Sequence, residues 1–144
     1  MAIEREAHAT WEGDLRTGVG RFDLRSSGSM SGQEVTFASR FEQPGGKTSP
    51  EELIAAAHAA CFSMALSHGL AQAGHPADEL KTSATVTFQP GEGITKIALQ
   101  VTGKVPGTSQ DEFGQAAETA KANCPVSKAL AGVPEISLDA RLQS

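Results

Sequence analysis

The feature that most constrains this chain is a long helical segment that carries one of only two cysteines. Ser49 is a good N-cap, Pro50 suits the first helical position, and Glu52 can complete a capping box with Ser49. An alanine-rich sequence follows, and we expect it to stay helical to the region of Gly74, which precedes a His-Pro pair. The segment therefore predicts one long helix with Cys61 in its middle.

The second cysteine lies directly before a proline at another predicted helix start. Pro125 fits the first helical position, which makes Cys124 the expected N-cap of a short helix. Backbone N–H groups at such a position stabilise a thiolate or a bridged sulfur. Two isolated thiols fit a redox pair better than a metal site, because no histidine stands at metal-ligand spacing from either. A buried, inert role for each cysteine is the alternative.

Length and composition indicate one soluble globular domain that covers residues 1–144. The net charge is -5 and Lys and Arg are scattered, which argues against nucleic-acid and anionic-membrane partners. No apolar run approaches the ~20 residues of a membrane span, and the charged N-terminal residues have no signal-peptide core. We therefore expect a cytoplasmic protein, a setting in which structural disulfides are rare. Six Phe, one Trp and no Tyr offer few large core side chains, so we also expect an oligomer.

Alternating apolar residues predict strands on both sides of the long helix. Three strand-like segments precede it, and a hairpin with one buried face follows it around the turn PGEG. Ser109 can cap a helix that runs to Asn123, and a shorter helix runs from Pro125 to Leu130. This order of elements predicts an α+β fold. The predicted strands are residues 7–14, 18–26, 35–41, 81–89, 95–105 and 136–142.

A reactive cysteine needs a cation or a base, and Cys61 lies too deep in its helix to use the helix N-terminus. Arg40, in the predicted strand 35–41, is a candidate cation. Glu51 precedes Cys61 by ten residues, about 15 Å along a straight helix. It can therefore act at that thiol only from a symmetry-related helix across a dimer two-fold. His58 allows a Cys/His acyl-transfer site, although a lone helical histidine is more often structural.

These residues resemble the OsmC/Ohr family of thiol-dependent peroxidases, and the resemblance covers nearly the whole chain. The sequence RFE at residues 40–42, ahead of the long helix, is similar to the OsmC branch. The organic-hydroperoxide-resistance branch takes its arginine from an early Gly-rich loop, and Arg21 follows such a loop here, so it competes with Arg40. The motifs that carry the resemblance are PEELI at 50–54, AHAACFSMAL at 57–66 and KANCPVS at 121–127, supported by WEGD at 11–14 and ITKI at 94–97.

The resemblance implies an intertwined homodimer with antiparallel sheets, a long central cysteine-bearing helix and two active sites at the subunit interface. In it, Cys61 would be the peroxidatic thiolate and Cys124 the resolving thiol. Arg40 would stabilise the thiolate and orient the peroxide, and Glu51 would hold that arginine.

The reaction that the resemblance implies is the reduction of organic hydroperoxides, with hydrogen peroxide as a further substrate, in stress defence. It uses no metal or other cofactor, and a dithiol of lipoyl type or another small dithiol reopens the disulfide. Two alternatives stay open from the residues alone. One is a dimeric binding or stress-storage protein with incidental cysteines, and the other is the Cys/His acyl-transfer enzyme.

Overall fold

The computed structural model describes residues 1–143, which form two compact units: a first unit up to Leu53 and a second unit from Ile54 onward. Helices and strands follow one another in the order expected for an α+β fold, so the predicted fold class is confirmed. The elements are β1 (Ala7–Glu12), β2 (Val19–Leu24), β3 (Gln33–Val35), α1 (Phe37–Phe41), α2 (Pro50–Gln72), β4 (Glu79–Gln89), β5 (Gly93–Lys104), α3 (Gln110–Asn123), α4 (Pro125–Ala129) and β6 (Glu135–Leu142).

The first unit is built on an antiparallel sheet in the order β1-β2-β3. Gly20 of β2 pairs with Trp11 of β1, and a Cβ atom on Gly20 would lie 2.7 Å from the Trp11 ring. Glycine is therefore required for the indole to lie against β2. The indole Nε1 donates to the carbonyl oxygens of Gly13 and Asp14, which fixes the turn that follows β1.

The segment 35–41, predicted to be a strand, is mostly helical, and the prediction is wrong there. Strand β3 ends at Val35 and α1 begins at Phe37. Thr36 and Ser39 form a capping box, in which each side chain accepts a hydrogen bond from the other residue's backbone N–H. Phe37 and Phe41, four residues apart, stack with ring centroids 4.6 Å apart. These local contacts favour one helical turn over the alternation that predicted a strand.

Helix α2 begins as the capping residues predict, with one change of partner. The Ser49 hydroxyl accepts a hydrogen bond from the Glu52 backbone N–H at 3.2 Å. The Glu52 carboxylate accepts from the Thr48 hydroxyl at 2.6 Å, where the prediction had it reach back to the Ser49 backbone. The start of the helix is therefore fixed from two neighbouring side chains.

Helix α2 ends close to the predicted glycine. Its last residue is Gln72, and Gly74 follows with a positive φ of 87°. The backbone N–H of His75 donates to the carbonyl oxygen of Leu70 at 2.9 Å, and that of Gly74 donates to Ala71 at 3.0 Å. This pattern of two C-terminal hydrogen bonds around a left-handed glycine is a Schellman motif, which terminates the helix.

The core of the second unit lies between α2, β5 and α3. Each element contributes alternate or helically spaced apolar residues to it, so one face of each is buried. The central members are Phe62, Leu66 and Leu70 of α2, Ile97, Leu99 and Val101 of β5, and Phe113, Ala117 and Ala120 of α3.

The sheet of the second unit is mixed, with strand order β4-β5-β6. Strands β4 and β5 form the predicted antiparallel hairpin, and β4 alternates between half-buried and exposed residues along its length. Strand β6 pairs with β5 in parallel, with Ile97 opposite Ile136. The expectation of antiparallel sheets therefore holds for five strands and fails for β6, which returns to β5 after α3 and α4.

Helix α2 is long and apolar enough, by length and composition, to cross a membrane, and the core helix of a soluble protein passes the same test. Polar side chains interrupt its apolar sequence, which is why the sequence pattern predicted no span. Three of them have specific partners inside the protein, which fits a helix of a folded domain. The pairs are Glu51 with Arg40, His58 with Ser127, and Ser63 with Thr82.

Two glycine substitutions test this packing in opposite directions. A Cβ atom on Gly103 of β5 would lie 2.6 Å from the Phe113 ring, so we expect Gly103→Ala to destabilise the protein by about 1–3 kcal/mol. Gly114 lies inside α3 with room for a methyl group, so Gly114→Ala should stabilise it by about 0.5–1 kcal/mol. Urea unfolding measures both, and equal stability of the two variants would contradict the packing described.

Candidate active site

The two cysteines meet in the second unit. Cys61, in the middle of α2, lies within hydrogen-bonding reach of Cys124, which lies at the junction of α3 and α4. Both are free thiols in this structure. Cys124 is fully buried, whereas Cys61 is only partly buried. Cys61 is therefore the more accessible residue of the pair.

The backbone of Cys124 joins two helices. Its N–H donates to the carbonyl oxygen of Ala120 at 2.8 Å and so ends α3, while its own carbonyl accepts from the Lys128 N–H at 3.0 Å and so begins α4. Pro125 occupies the first turn of α4, and Cys124 is its N-cap, as the sequence predicts. The position of this sulfur is thus set by two hydrogen-bonded helix ends.

The pKa values of the two thiols shift in opposite directions. Burial raises the pKa of Cys61, and donation of its proton toward Cys124 raises it further. Burial also acts to raise the pKa of Cys124, but hydrogen bonds outweigh it and lower that pKa. The donors are the Cys61 thiol, the backbone N–H and hydroxyl of Ser127, and the Val126 N–H. The Cys124 side chain makes no regular cap hydrogen bond with α4. The negative charge of the pair is therefore favoured on Cys124.

His58 belongs to the same buried cluster but does not pair with Cys61. Its Nε2 lies 2.7 Å from the Ser127 hydroxyl oxygen, and its Nδ1 is buried without a hydrogen-bond partner. Burial lowers the pKa of His58, so the ring is neutral in neutral solution. The acyl-transfer hypothesis needs a hydrogen bond between Cys61 and His58. The His58 ring instead bonds Ser127 through Nε2, and its Nδ1 has no partner.

Ser127 is a site residue that sequence reasoning missed. It is buried, and its side chain stands between His58 and Cys124. A local signal was present in the sequence CPVS, where a serine three residues after an N-cap cysteine can point back at the sulfur. Its link to His58 depends on tertiary packing, which no local signal carries.

Arg40 and Glu51 form an ion pair in the first unit. Arg40 Nε lies 3.1 and 3.2 Å from the two carboxylate oxygens of Glu51, and Nη2 lies 2.8 Å from Oε2. The Glu51 side chain is nearly buried and lies in the first turn of α2, where the helix dipole favours a carboxylate. Arg40 is on α1, not on a strand. Both residues belong to one chain, so this pair needs no carboxylate from a partner subunit.

Arg21, the competing arginine, is held less firmly. It lies on β2 with its side chain half exposed, and its Nη2 is 3.9 Å from a carboxylate oxygen of Glu34. Arg21 and Arg40 both line an apolar cavity of about 600 Å³ in the first unit. The geometric difference is that Arg40 is fixed by a short multiple contact and Arg21 by one long contact.

No group of three or more His, Cys, Asp or Glu side chains able to hold a metal ion occurs within residues 1–143. The groups described above are a thiol pair, a buried hydroxyl and imidazole, and an arginine–carboxylate pair.

Similarity to known proteins identifies the family. Residues 43–139 match the family model described as OsmC-like protein. The chain is 45% identical to Peroxiredoxin OsmC of Escherichia coli (strain K12), and the match covers 100% of both chains. The chain belongs to the OsmC-like family. The family resemblance stated from the sequence motifs is thereby confirmed.

The chain is also similar to one further relative and to a solved structure. Organic hydroperoxide resistance protein-like 2 of Staphylococcus saprophyticus is 32% identical, over 75% of this chain and 70% of that protein. The crystal structure of an OsmC-like protein from Mycoplasma pneumoniae superposes with a TM-score of 0.76 and covers 100% of both chains. Its sequence identity is 15%, so that likeness concerns the fold alone.

The difference in burial predicts an order of thiol modification. A small alkylating reagent should label Cys61 first in the reduced native protein, and Cys124 only once the protein is unfolded, because Cys124 has no exposed surface. Mass spectrometry of proteolytic fragments after timed quenching measures the order. A denatured sample is the control, and labelling of Cys124 at the rate of Cys61 in the native protein would contradict the geometry.

Proposed function

We propose that this protein is a cysteine-based peroxidase that reduces organic hydroperoxides, with Cys61 as the peroxidatic thiol and Cys124 as the resolving thiol. The observation that carries the proposal is the pair of free thiols within reach of one another, of which Cys124 is fully buried and Cys61 only partly buried. The relatives named peroxiredoxin and organic hydroperoxide resistance protein support the reaction class.

In the first step the Cys61 thiolate attacks one oxygen of the hydroperoxide. A sulfur–oxygen bond forms and the oxygen–oxygen bond breaks, which oxidises Cys61 to a sulfenic acid. The departing alkoxide takes a proton from solvent and leaves as an alcohol. We assign this step to Cys61 because Cys124 has no exposed surface.

In the second step Cys124 resolves the sulfenic acid. Its thiolate attacks the Cys61 sulfur, the disulfide forms, and hydroxide leaves and is protonated to water. The reaction closes quickly because the two sulfurs are already in contact. Closure also protects Cys61 from further oxidation to a sulfinic acid.

A dithiol then reduces the disulfide, and we infer that it attacks Cys61. This sulfur is the accessible one, and Cys124 is the better leaving group because its pKa is the lower of the two. The mixed disulfide therefore forms on Cys61, and the second thiol of the reductant releases it. A small dithiol of lipoyl type fits this scheme.

Cys61 needs a cation, because burial and its neighbour both raise its pKa. We assign this role to Arg40, which would stabilise the Cys61 thiolate and the departing oxyanion while Glu51 holds the guanidinium. The support is the three-contact Arg40–Glu51 pair, which orients the guanidinium. Arg21 is the competing assignment.

We infer a homodimer, intertwined as the family resemblance implies, that works in the cytoplasm. The apolar cavity of the first unit and the exposed Trp11 and Met64 are apolar surfaces that a second copy can cover. A cytoplasmic setting supplies the reducing dithiol that the cycle consumes.

The proposed reaction predicts a defined thiol stoichiometry. Reduced protein mixed with cumene hydroperoxide should lose both thiols rapidly, and Cys61→Ser should abolish the loss. With one equivalent of peroxide, Cys124→Ser should react once at Cys61 and stop at the sulfenic acid. With excess peroxide, the sulfenic acid should be oxidised further to the sulfinic acid. Thiol titration and intact mass measure these outcomes. If the reduced protein is inert to hydroperoxide, the cysteines are incidental and the protein belongs to the binding or stress-storage class.

The arginine assignment predicts a matched pair of variants. Arg40→Ala should slow peroxide reduction on the order of a hundredfold, while Arg21→Ala should have little effect. Glu51→Gln, which keeps a hydrogen-bond acceptor but removes the charge, should fall between them. Stopped-flow rates of Cys61 oxidation measure the series. A large loss in Arg21→Ala with none in Arg40→Ala would reverse the assignment.

A further inference from the structure

A chain of buried polar groups leads from His58 to the reactive thiols. His58 is fully buried on α2, and its Nε2 lies 2.7 Å from the hydroxyl oxygen of Ser127 on α4. Ser127 is the third residue of α4, a position from which its side chain faces back toward the N-cap residue Cys124, and its hydroxyl acts on that fully buried sulfur. Nothing in the peroxidase cycle described above uses His58, yet it is connected to the resolving sulfur through a single side chain.

The direction of these hydrogen bonds follows from counting protons. A serine hydroxyl has one proton, and when Ser127 donates it to Cys124, the hydroxyl oxygen must accept from His58. Nε2 of His58 then carries the ring proton, and the unpartnered Nδ1 is a bare acceptor. The opposite tautomer would leave a buried N–H group without a partner, which is the rarer and costlier situation. The hydrogen bonds therefore run from His58 to Ser127 to Cys124.

Most polar contacts in this cluster are directed at Cys124, and the Val126 N–H also acts on Cys61. The Cys61 thiol donates from α2, and the Ser127 hydroxyl and the N–H groups of Ser127 and Val126 donate from α4. Within the second unit as described, no carboxylate, lysine or arginine contributes to the pKa shift of either thiol or of His58. The titratable groups that face Cys124 there are Cys61 directly and His58 through Ser127.

We propose that His58, in its neutral Nε2–H tautomer, is a positioning residue that holds the hydroxyl proton of Ser127 on the Cys124 sulfur. This inference rests on the proposed function. It keeps Cys124 a thiolate when the sulfenic acid of Cys61 appears, and it stabilises the same sulfur when the reductant displaces it. Ser127 and His58 keep their protons throughout. The hydroxide released from the sulfenic acid is protonated by solvent.

The proposal separates donation of a hydrogen bond from transfer of a proton. Gln at position 58 still offers an N–H group to Ser127 but cannot carry a proton, so His58→Gln should retain most of the rate of disulfide closure. His58→Leu, of similar volume and without a donor, should slow closure about tenfold at neutral pH, as should Ser127→Ala. Ser63→Ala is the matched control, since it removes a hydroxyl of α2 that bonds Ala59 and Thr82 instead.

The pH profile distinguishes this role from simple packing. Loss of the donor raises the pKa of Cys124, so closure in Ser127→Ala should be slow at neutral pH and recover at alkaline pH, where the thiolate forms without help. Rapid quenching with sulfenic-acid trapping measures closure separately from the peroxide step. The proposal would be overturned if Ser127→Ala slowed disulfide closure by the same factor at every pH. It would also be overturned if closure in His58→Gln were as slow as in His58→Leu.

Two measurements test the proposal even if the peroxidase function fails. Nitrogen NMR of the histidine rings, with His58→Gln to assign the signal, should show a protonated Nε2 and a bare Nδ1; a protonated Nδ1 overturns the proposal. Thiolate absorbance of Cys61→Ser should titrate at lower pH than that of Cys61→Ser with Ser127→Ala, and coincident curves overturn it. If both results are as expected but the unsubstituted protein does not react with hydroperoxide, the peroxidase function is refuted. The hydrogen-bond chain from His58 through Ser127 to Cys124 is then still supported.

Discussion

The position of the reactive thiol depends on how α2 packs against β5 and α3. His58, Phe62 and Leu66 recur every four residues on α2 and are all fully buried, so they define the inward face of the helix. Cys61 lies one residue away from that face, at its border with solvent, which is why it is only partly buried. A rotation of the helix by one residue would either seal this sulfur in the core or remove it from Cys124.

Local signals were sufficient for most of the fold. The Ser109 cap, the β4–β5 hairpin and the proline after Cys124 are short-range features, and the structure forms each of them. The strand prediction for residues 35–41 failed because the alternation favours a strand while the Phe37–Phe41 spacing favours a helix. The Thr36 capping box decides for the helix. Parallel pairing of β6 with β5 was also missed, because strand direction within a sheet depends on the path of the intervening helices.

The candidate site was predictable where residue type and motif sufficed, and not where packing decides. Both cysteines, Arg40 and Glu51 could be named from the sequence, and the structure brings them together as two separate pairs. The opposite pKa shifts of the thiols could not be predicted, since they arise from unequal burial and from donors that converge on one sulfur. The two cysteines therefore differ in two properties. Cys61 is the more accessible residue, and Cys124 has the lower pKa.

Both backbone groups of Cys124 are committed to helix ends, the N–H to α3 and the carbonyl to α4. Its Cα atom therefore cannot shift without loosening two helices at once. The proposed disulfide with Cys61 would then form by rotation about side-chain bonds, because the two thiols are already within reach of one another. The oxidised and reduced forms would then be nearly superimposable, and each catalytic turnover would proceed on a rigid scaffold without refolding any segment.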